Sequence, residues 1–269
     1  MQVIKSSGDF EKFDHKKIYR AVRNAGGSKK LAGAAVNEVR KMYREDIPTK
    51  EIFEFLLEFL KNEPGVSQRY GIKKAIMSLG PTGFPFEQFF ARVLEYYGYQ
   101  TTTDNKLKGK RIIHEVDIVA IRKKKWMIEC KYHNESGTIT DLHSALYTYA
   151  RFLDLGKYGF DAPWLVTNTK CSDDAVEYAR GVNLKITSWN YPQDESLQNL
   201  IMEKKLYPIT ILSSVSDEIL NRLYSAKIVI ARDLLRGSPD DLSRRTRLDK
   251  ETILKLTDEI KEICGEIDI

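Results

Sequence analysis

Residues 114–133 read HEVDIVAIRKKKWMIECKYH. The apolar runs VDIVAI and WMIECK flank the polar segment RKKK, and the pattern predicts two strands joined by a turn. Charges punctuate both runs. Asp117 opens the first, and Glu129 and Lys131 end the second. Alternate side chains of a strand point to opposite faces. Trp126, Ile128 and Cys130 therefore share a core-facing side, while Met127, Glu129 and Lys131 share the other. A hairpin through the lysine-rich turn brings the Asp117 carboxylate beside Glu129. Such a pair repels unless a hard divalent cation lies between its members, and Mg²⁺ or Mn²⁺ favours these oxygen ligands. A cation there would activate a water and neutralise charge on a phosphate oxygen, with the Lys131 ammonium assisting. The implied reaction is hydrolysis of a phosphodiester. The plainer alternative is a salt bridge on a solvated sheet face, with Lys131 paired to Glu129 or Asp117.

Outward from this hairpin the pattern alternates. FEQFFARVLEYYG reads as an amphipathic helix ending at Gly98, LHSALYTYARFL as a helix, APWLVTN as a strand, SDDAVEYARGV as a helix and LKITSW as a strand. Strands interleaved with helices predict an α/β layer fold. Breaks at GPTGFP (Gly80–Pro85) and NYPQDES (Asn190–Ser196) divide the chain into residues 1–82, 83–192 and 193–269. The expected whole is multidomain: a helical first domain with a β-hairpin, a central α/β/α sheet and a small C-terminal helical bundle.

In the first segment, QVIKSSGDFEKF predicts the hairpin, and Asp14 an N-cap for a helix to about Asn24. AGAAVNEVRKMY is a second helix, Thr49 is read as the cap of a third, and a fourth is expected over Ser67–Leu79. The last segment reads as helical, with capped starts at Ser238 and Asp249.

The chain has 269 residues, 42% hydrophobic and 30% charged, with net charge +5. The basic excess lies early: residues 1–85 carry 16 Lys/Arg against 10 Asp/Glu, whereas residues 191–269 carry 12 against 15. A polyanion is thus an expected partner of the first third. No apolar run is long enough to span a membrane and no targeting segment is visible. Three widely spaced cysteines argue against a disulfide framework and a zinc site, and for a cytoplasmic location.

The order of motifs resembles known families. Asp117 … Glu129-Cys130-Lys131, preceded by GFPFEQFFARVLEYYGY and followed by the LHSALYTYARFL helix, resembles the PD-(D/E)XK restriction-endonuclease-like nucleases, the Mrr-like branch in particular. The resemblance implies a Mg²⁺- or Mn²⁺-dependent DNA endonuclease, acting in restriction or defence, and adds Glu87 to Asp117 and Glu129 as a metal ligand, with Lys131 completing the catalytic set. Glu95 is a second candidate for the helix carboxylate. The glutamine that often follows the lysine is absent, and Asp141, His143 and Tyr147 lie on the next helix instead. His114 is close enough in sequence to reach a phosphate.

VIKSSGDFEKFDHKKI, with Thr49 in PTKEI, resembles an ATP cone. That resemblance implies ATP or dATP as a regulatory ligand at Val3, Lys5, Glu11, Phe13, Lys17 and Thr49. Lys5 and Lys17 can both face a triphosphate, aided by the helix N-terminus. No Walker A sequence occurs. Residues 223–260 resemble helix-hairpin-helix-like bundles, which implies phosphate contacts from Lys227, Arg244, Arg245 and Arg247, or else a protein contact. DNA and an adenine nucleotide are the expected partners, and cutting both strands with one site per chain suggests a homodimer. A non-catalytic, nucleotide-sensing binding module is the alternative, and binding alone does not require the Asp117/Glu129/Lys131 set.

Overall fold

The structure, a computed structural model, describes residues 2–63 and 65–265. Around the turn at Ser6–Asp9, strands β1 (Gln2–Ile4) and β2 (Phe10–Lys12) pair antiparallel, setting Val3 opposite Glu11. The Asp14 carboxylate accepts the Lys16 N–H and starts α1 (His15–Asn24). Ser28 caps α2 (Lys29–Met42) in the same way. A strand too short to be read from sequence, β3 (Ile47–Pro48), runs parallel to β1. It leads into α3 (Thr49–Phe59). Thr49 is not the cap: Pro48 holds that position without a side-chain acceptor, and Thr49 is the first helical residue. The single helix expected over 67–79 is two short ones, α4 (Val66–Tyr70) and α5 (Ile72–Met77), interrupted at Gly71. Val22, Ala32, Val39, Ile47 and Leu56 form this domain's own core.

Pro85 lies in the first turn of α6 (Phe84–Tyr96), where a missing N–H costs nothing. There follow β4 (Gln100–Lys108), β5 (Ile113–Ile121), β6 (Lys125–Lys131), β7 (Ile139–Thr140), α7 (Leu142–Asp154), β8 (Ala162–Thr167), β9 (Lys170–Cys171), α8 (Asp173–Gly181) and β10 (Lys185–Thr187). The main sheet has the order β10-β8-β6-β5-β4. Its β4–β5–β6 part is antiparallel, and β6, β8 and β10 are parallel. Phe86, Phe89 and Phe90 of α6 pack with Ile118, Ile128 and Trp164 on one face. Ala145 of α7 and Ala175 of α8 pack with Leu165 and Ile186 on the other. β8 is buried along its whole length, as a central strand covered on both faces must be. The one long strand that the sequence does not announce is β4, an edge strand whose residues alternate only between exposed and half-buried.

After the cis Tyr191–Pro192 bond come α9 (Leu197–Glu203), α10 (Asp217–Ser225), α11 (Pro239–Thr246) and α12 (Lys250–Cys264). Ser238 accepts the Asp241 N–H and Asp249 the Thr252 N–H, as their sequence positions predict. Ile253, Leu256 and Ile260 of α12 belong to the same apolar cluster as α6 and the sheet. One core therefore runs from the central sheet into the C-terminal helices. Polar staples reinforce this contact. Arg92 donates to both Asp233 oxygens at 2.9 and 2.8 Å, and the Tyr96 hydroxyl donates to Asp233 at 2.6 Å. Arg69 of α4 donates to the carbonyls of Ala25 and Ile263, tying the first domain to the end of α12. No helix among the described residues is long and apolar enough to cross a membrane.

Candidate active site

Asp117 lies where the ladder around β5 is interrupted. The regular β5–β6 pairing ends at Ile118↔Ile128. The β4–β5 pairing runs from Gln100↔Ile121 to Lys108↔Ile113 but skips Asp104 and Asp117, which would face each other. Val116 packs with Met127 and Leu155, whereas Ile118, two residues on, belongs to the core on the α6 side. Strict alternation would put both on one face, so the strand's facing changes at Asp117. Asp104 takes a positive φ of 56°, which a non-glycine residue adopts at a cost. The Asp117 carboxylate replaces a backbone acceptor: Oδ2 accepts the Cys130 N–H at 2.6 Å. The hairpin thus brings the Asp117 carboxylate to the Cys130 N–H at the end of β6, through a break in the ladder.

Glu129 is 3% exposed. The sheet face that carries it is covered by α7 rather than solvated. Lys131 donates to its Oε1 at 2.7 Å, and Arg151 of α7 donates to its Oε2. Arg151 is itself buried, donates to the Glu115 carbonyl at 2.6 Å, and stacks over the Tyr147 ring at 4.6 Å. Its Nε has no partner among the described residues. The salt bridge weighed from sequence therefore exists, with a second cation that sequence reasoning missed. No local signal marks Arg151, because its partner lies on a strand 22 residues earlier.

Glu87, on the first turn of α6, is half-buried. Burial raises its carboxyl above the usual carboxylate range, and the charges of Glu129 and Asp104 add to the effect. Burial and the Glu129 charge push Asp117 up to about 7, with Glu87 adding to the rise and the Cys130 N–H opposing it. The Glu129 charge thus opposes the ionisation of both Glu87 and Asp117, and Asp104 is a further charge that the sequence reading missed. Hard oxygen donors with mutual repulsion are the donor chemistry a divalent cation relieves. As arranged, no three His, Cys, Asp or Glu side chains among the described residues are placed to hold a metal ion together. The Glu129 oxygens face Lys131 and Arg151 instead.

The neighbouring candidates take structural places. His114 is buried and its Nε2 is bonded to Asp154 at 2.7 Å. Asp141 caps α7 through the Ser144 N–H, and His143 is exposed beside it. Tyr147 lies beneath both Lys131 and Arg151. Glu95 is held by Arg92 and Thr101.

In the first domain, Lys5 and Lys17 converge on Glu11. Lys5 Nζ lies 3.3 Å from one carboxylate oxygen, and Lys17 donates to the other. The Lys17 hydrogen bond leads the effects that hold the Glu11 carboxyl below its ordinary value. Val3 is buried on β1, Phe13 packs its ring 5.0 Å from Tyr43, and Thr49 opens α3.

Comparison with known proteins gives the same three-part order. A family model described as an ATP cone domain matches residues 1–71, one described as a restriction endonuclease matches 81–193, and one described as AF1548-like, C-terminal, matches 207–264. An uncharacterized protein of Archaeoglobus fulgidus is 42% identical over 176 residues, which is 65% of this chain and 99% of that one. The crystal structure of AF1548, a protein of unknown function, superposes with a TM-score of 0.62 at 40% identity, covering 69% of this chain and all of that one. With that identity across nearly the whole of its relative, the chain belongs to the AF1548-like family and joins an ATP cone to a restriction-endonuclease-like domain and an AF1548-like C-terminal region.

Proposed function

We propose that this protein is a nucleotide-regulated, divalent-metal-dependent endonuclease that hydrolyses DNA phosphodiesters. The observation that carries the reading is that Glu87 of α6 and Asp117 of β5, both raised by burial and by the Glu129 charge, lie close to the Glu129–Lys131 pair at the end of β6. Asp117, Glu129 and Glu87 would hold Mg²⁺ or Mn²⁺ once Glu129 turns an oxygen away from Lys131 or Arg151, and the bound cation supplies water activation and charge neutralisation at the phosphate. Lys131 orients the attacking water or stabilises the developing negative charge. Arg151 holds Glu129 in place and sets its orientation. Asp117 is fixed by the Cys130 N–H. The Lys5–Glu11–Lys17 cluster of the cone takes ATP or dATP as a regulatory ligand, and the C-terminal helices help to place the duplex.

A second reading has its own observation. Both Glu129 oxygens are already engaged by cations, as in a site kept for structure rather than chemistry. On that reading the chain senses a nucleotide and binds DNA or protein without cutting. Titration calorimetry with Mn²⁺ separates the two. The nuclease reading expects binding by the wild type and its loss in Asp117→Ala. A wild type that takes up no Mn²⁺ would favour the binding module.

A further inference from the structure

Between the cone and the nuclease domain lies a cleft of about 520 Å³, within the range of about 300–1,000 Å³ usual for small-molecule sites. Its cations are Lys17, Arg20, Arg69 and Lys73, and no Asp or Glu among the described residues lines it. Lys17 is the residue that also reaches Glu11, so the cleft continues the cluster assigned to the cone. Lys73 is half-buried and has no carboxylate partner among the described residues. Its ammonium sits 5.7 Å from the centre of the Trp189 ring. Burial lowers the Lys73 pKa, and the Lys170 charge lowers it further. A half-buried lysine facing another cation rather than an anion is poised for an anionic ligand. The apolar part of the lining is aromatic. Phe53 and Tyr70 stack at 5.3 Å with their planes 22° apart, and the largely buried Trp189 lines the cleft on the nuclease side.

We infer that this cleft binds a nucleoside polyphosphate between the two domains, its phosphates on Lys73 and Arg20 and its base against the aromatic wall that includes Trp189. The inference rests on the cone being a nucleotide sensor, and it adds that the nuclease domain supplies one wall of the site. Cations and aromatic faces together suit a ligand that is both polyanionic and aromatic. The shared wall gives the ligand a route to the active site. The Trp189 backbone N–H donates to the Thr169 carbonyl at 2.8 Å. The adjacent Asn168 brackets His133, accepting its N–H at 2.9 Å and donating to its carbonyl at 2.7 Å. His133 follows Lys131 by two residues. Nucleotide occupancy at Trp189 therefore bears on the segment that leaves the catalytic strand.

The test is titration of the full-length chain with ATP, read in parallel by calorimetry and by tryptophan fluorescence. Wild type is expected to bind and to change its emission. Trp189→Phe, a substitution that keeps an aromatic ring in the core, is expected to bind ATP but lose that change. Lys73→Gln is expected to weaken binding about tenfold, the loss of one charge-assisted contact. Calorimetric binding with no emission change dependent on Trp189 and unchanged affinity in Lys73→Gln would overturn the inference while leaving the cone's nucleotide site standing. Absence of ATP binding by wild type would overturn the sensor reading and this inference with it. Equal binding of inorganic tripolyphosphate would overturn the role given to the aromatic wall. A short DNA duplex that displaces ATP and causes the same Trp189 signal would assign the cleft to DNA instead.

Discussion

Arg151 and Glu129 meet across the contact between α7 and β6, the guanidinium donating to Oε2 while the same nitrogen donates to the Glu115 carbonyl at 2.6 Å. Both side chains are buried. A buried ion pair is weak evidence of net stabilisation, but removing Arg151 leaves the buried Glu129 charge to Lys131 alone. Arg151→Ala is therefore expected to cost about 3–5 kcal/mol, measured by chemical denaturation. A divalent cation should recover part of that loss by taking over the Glu129 charge. The double variant Arg151→Ala/Asp117→Asn should show no such recovery.

Asp117 carries a pH signature. Its folded-state pKa of about 7 lies above the ordinary 3.8. Between those values the folded chain holds a proton that the unfolded chain has released. The contribution of this group to stability therefore falls as pH rises from about 4 to about 7, and is flat above. Asp117→Asn is expected to remove that slope from a stability-against-pH curve recorded without metal. Cation binding at pH 6 should expel a proton, visible as a heat that depends on the buffer's ionisation enthalpy, and binding at pH 8 should not.

The Lys5–Glu11–Lys17 cluster is solvent-accessible, so its ion pairs contribute little to folding, on the order of 1 kcal/mol or less. Lys17→Ala is expected to leave the melting temperature within a few degrees of wild type. The same change should weaken ATP binding about tenfold by calorimetry, through loss of a charge-assisted phosphate contact.

The shared core predicts cooperative unfolding of the sheet and the C-terminal helices. Asp233 accepts from Arg92 twice and from Tyr96, and its side chain is only 10% exposed. Asp233→Ala would leave the Arg92 charge without this partner, at a cost of about 3 kcal/mol. Circular dichroism and Trp164 fluorescence should then shift together to lower denaturant. A variant in which the C-terminal helices melt well before the sheet would contradict a continuous core.

Much of this was readable from sequence wherever the deciding signal is local. The strands bearing Asp117, Glu129 and Lys131 follow from apolar runs around a cationic turn. The caps at Asp14, Ser238 and Asp249 follow from a side-chain acceptor placed beside free N–H groups. Other features depend on partners far along the chain. β4 is polar because its edge position asks for no buried face, so its sequence carries no alternation of apolar residues. Asp104 gains meaning only from lying across from Asp117, and Arg151 only from Glu129. Thr49 matches a capping residue type, but the backbone places Pro48 at the cap. Strict alternation also misplaces the surroundings of Asp117, because the facing of β5 changes there.

The most direct measurement is the rate at which wild type and Lys131→Ala convert supercoiled plasmid to nicked circle in Mn²⁺, with and without ATP. Lys131 reaches Glu129 from a half-exposed position, so its loss should spare the fold, which circular dichroism checks. The wild type is expected to cut, with a rate that changes with ATP, and the variant to cut at least about a hundredfold more slowly. Equal rates for the two proteins would contradict the assignment of phosphodiester hydrolysis to Asp117, Glu129 and Lys131.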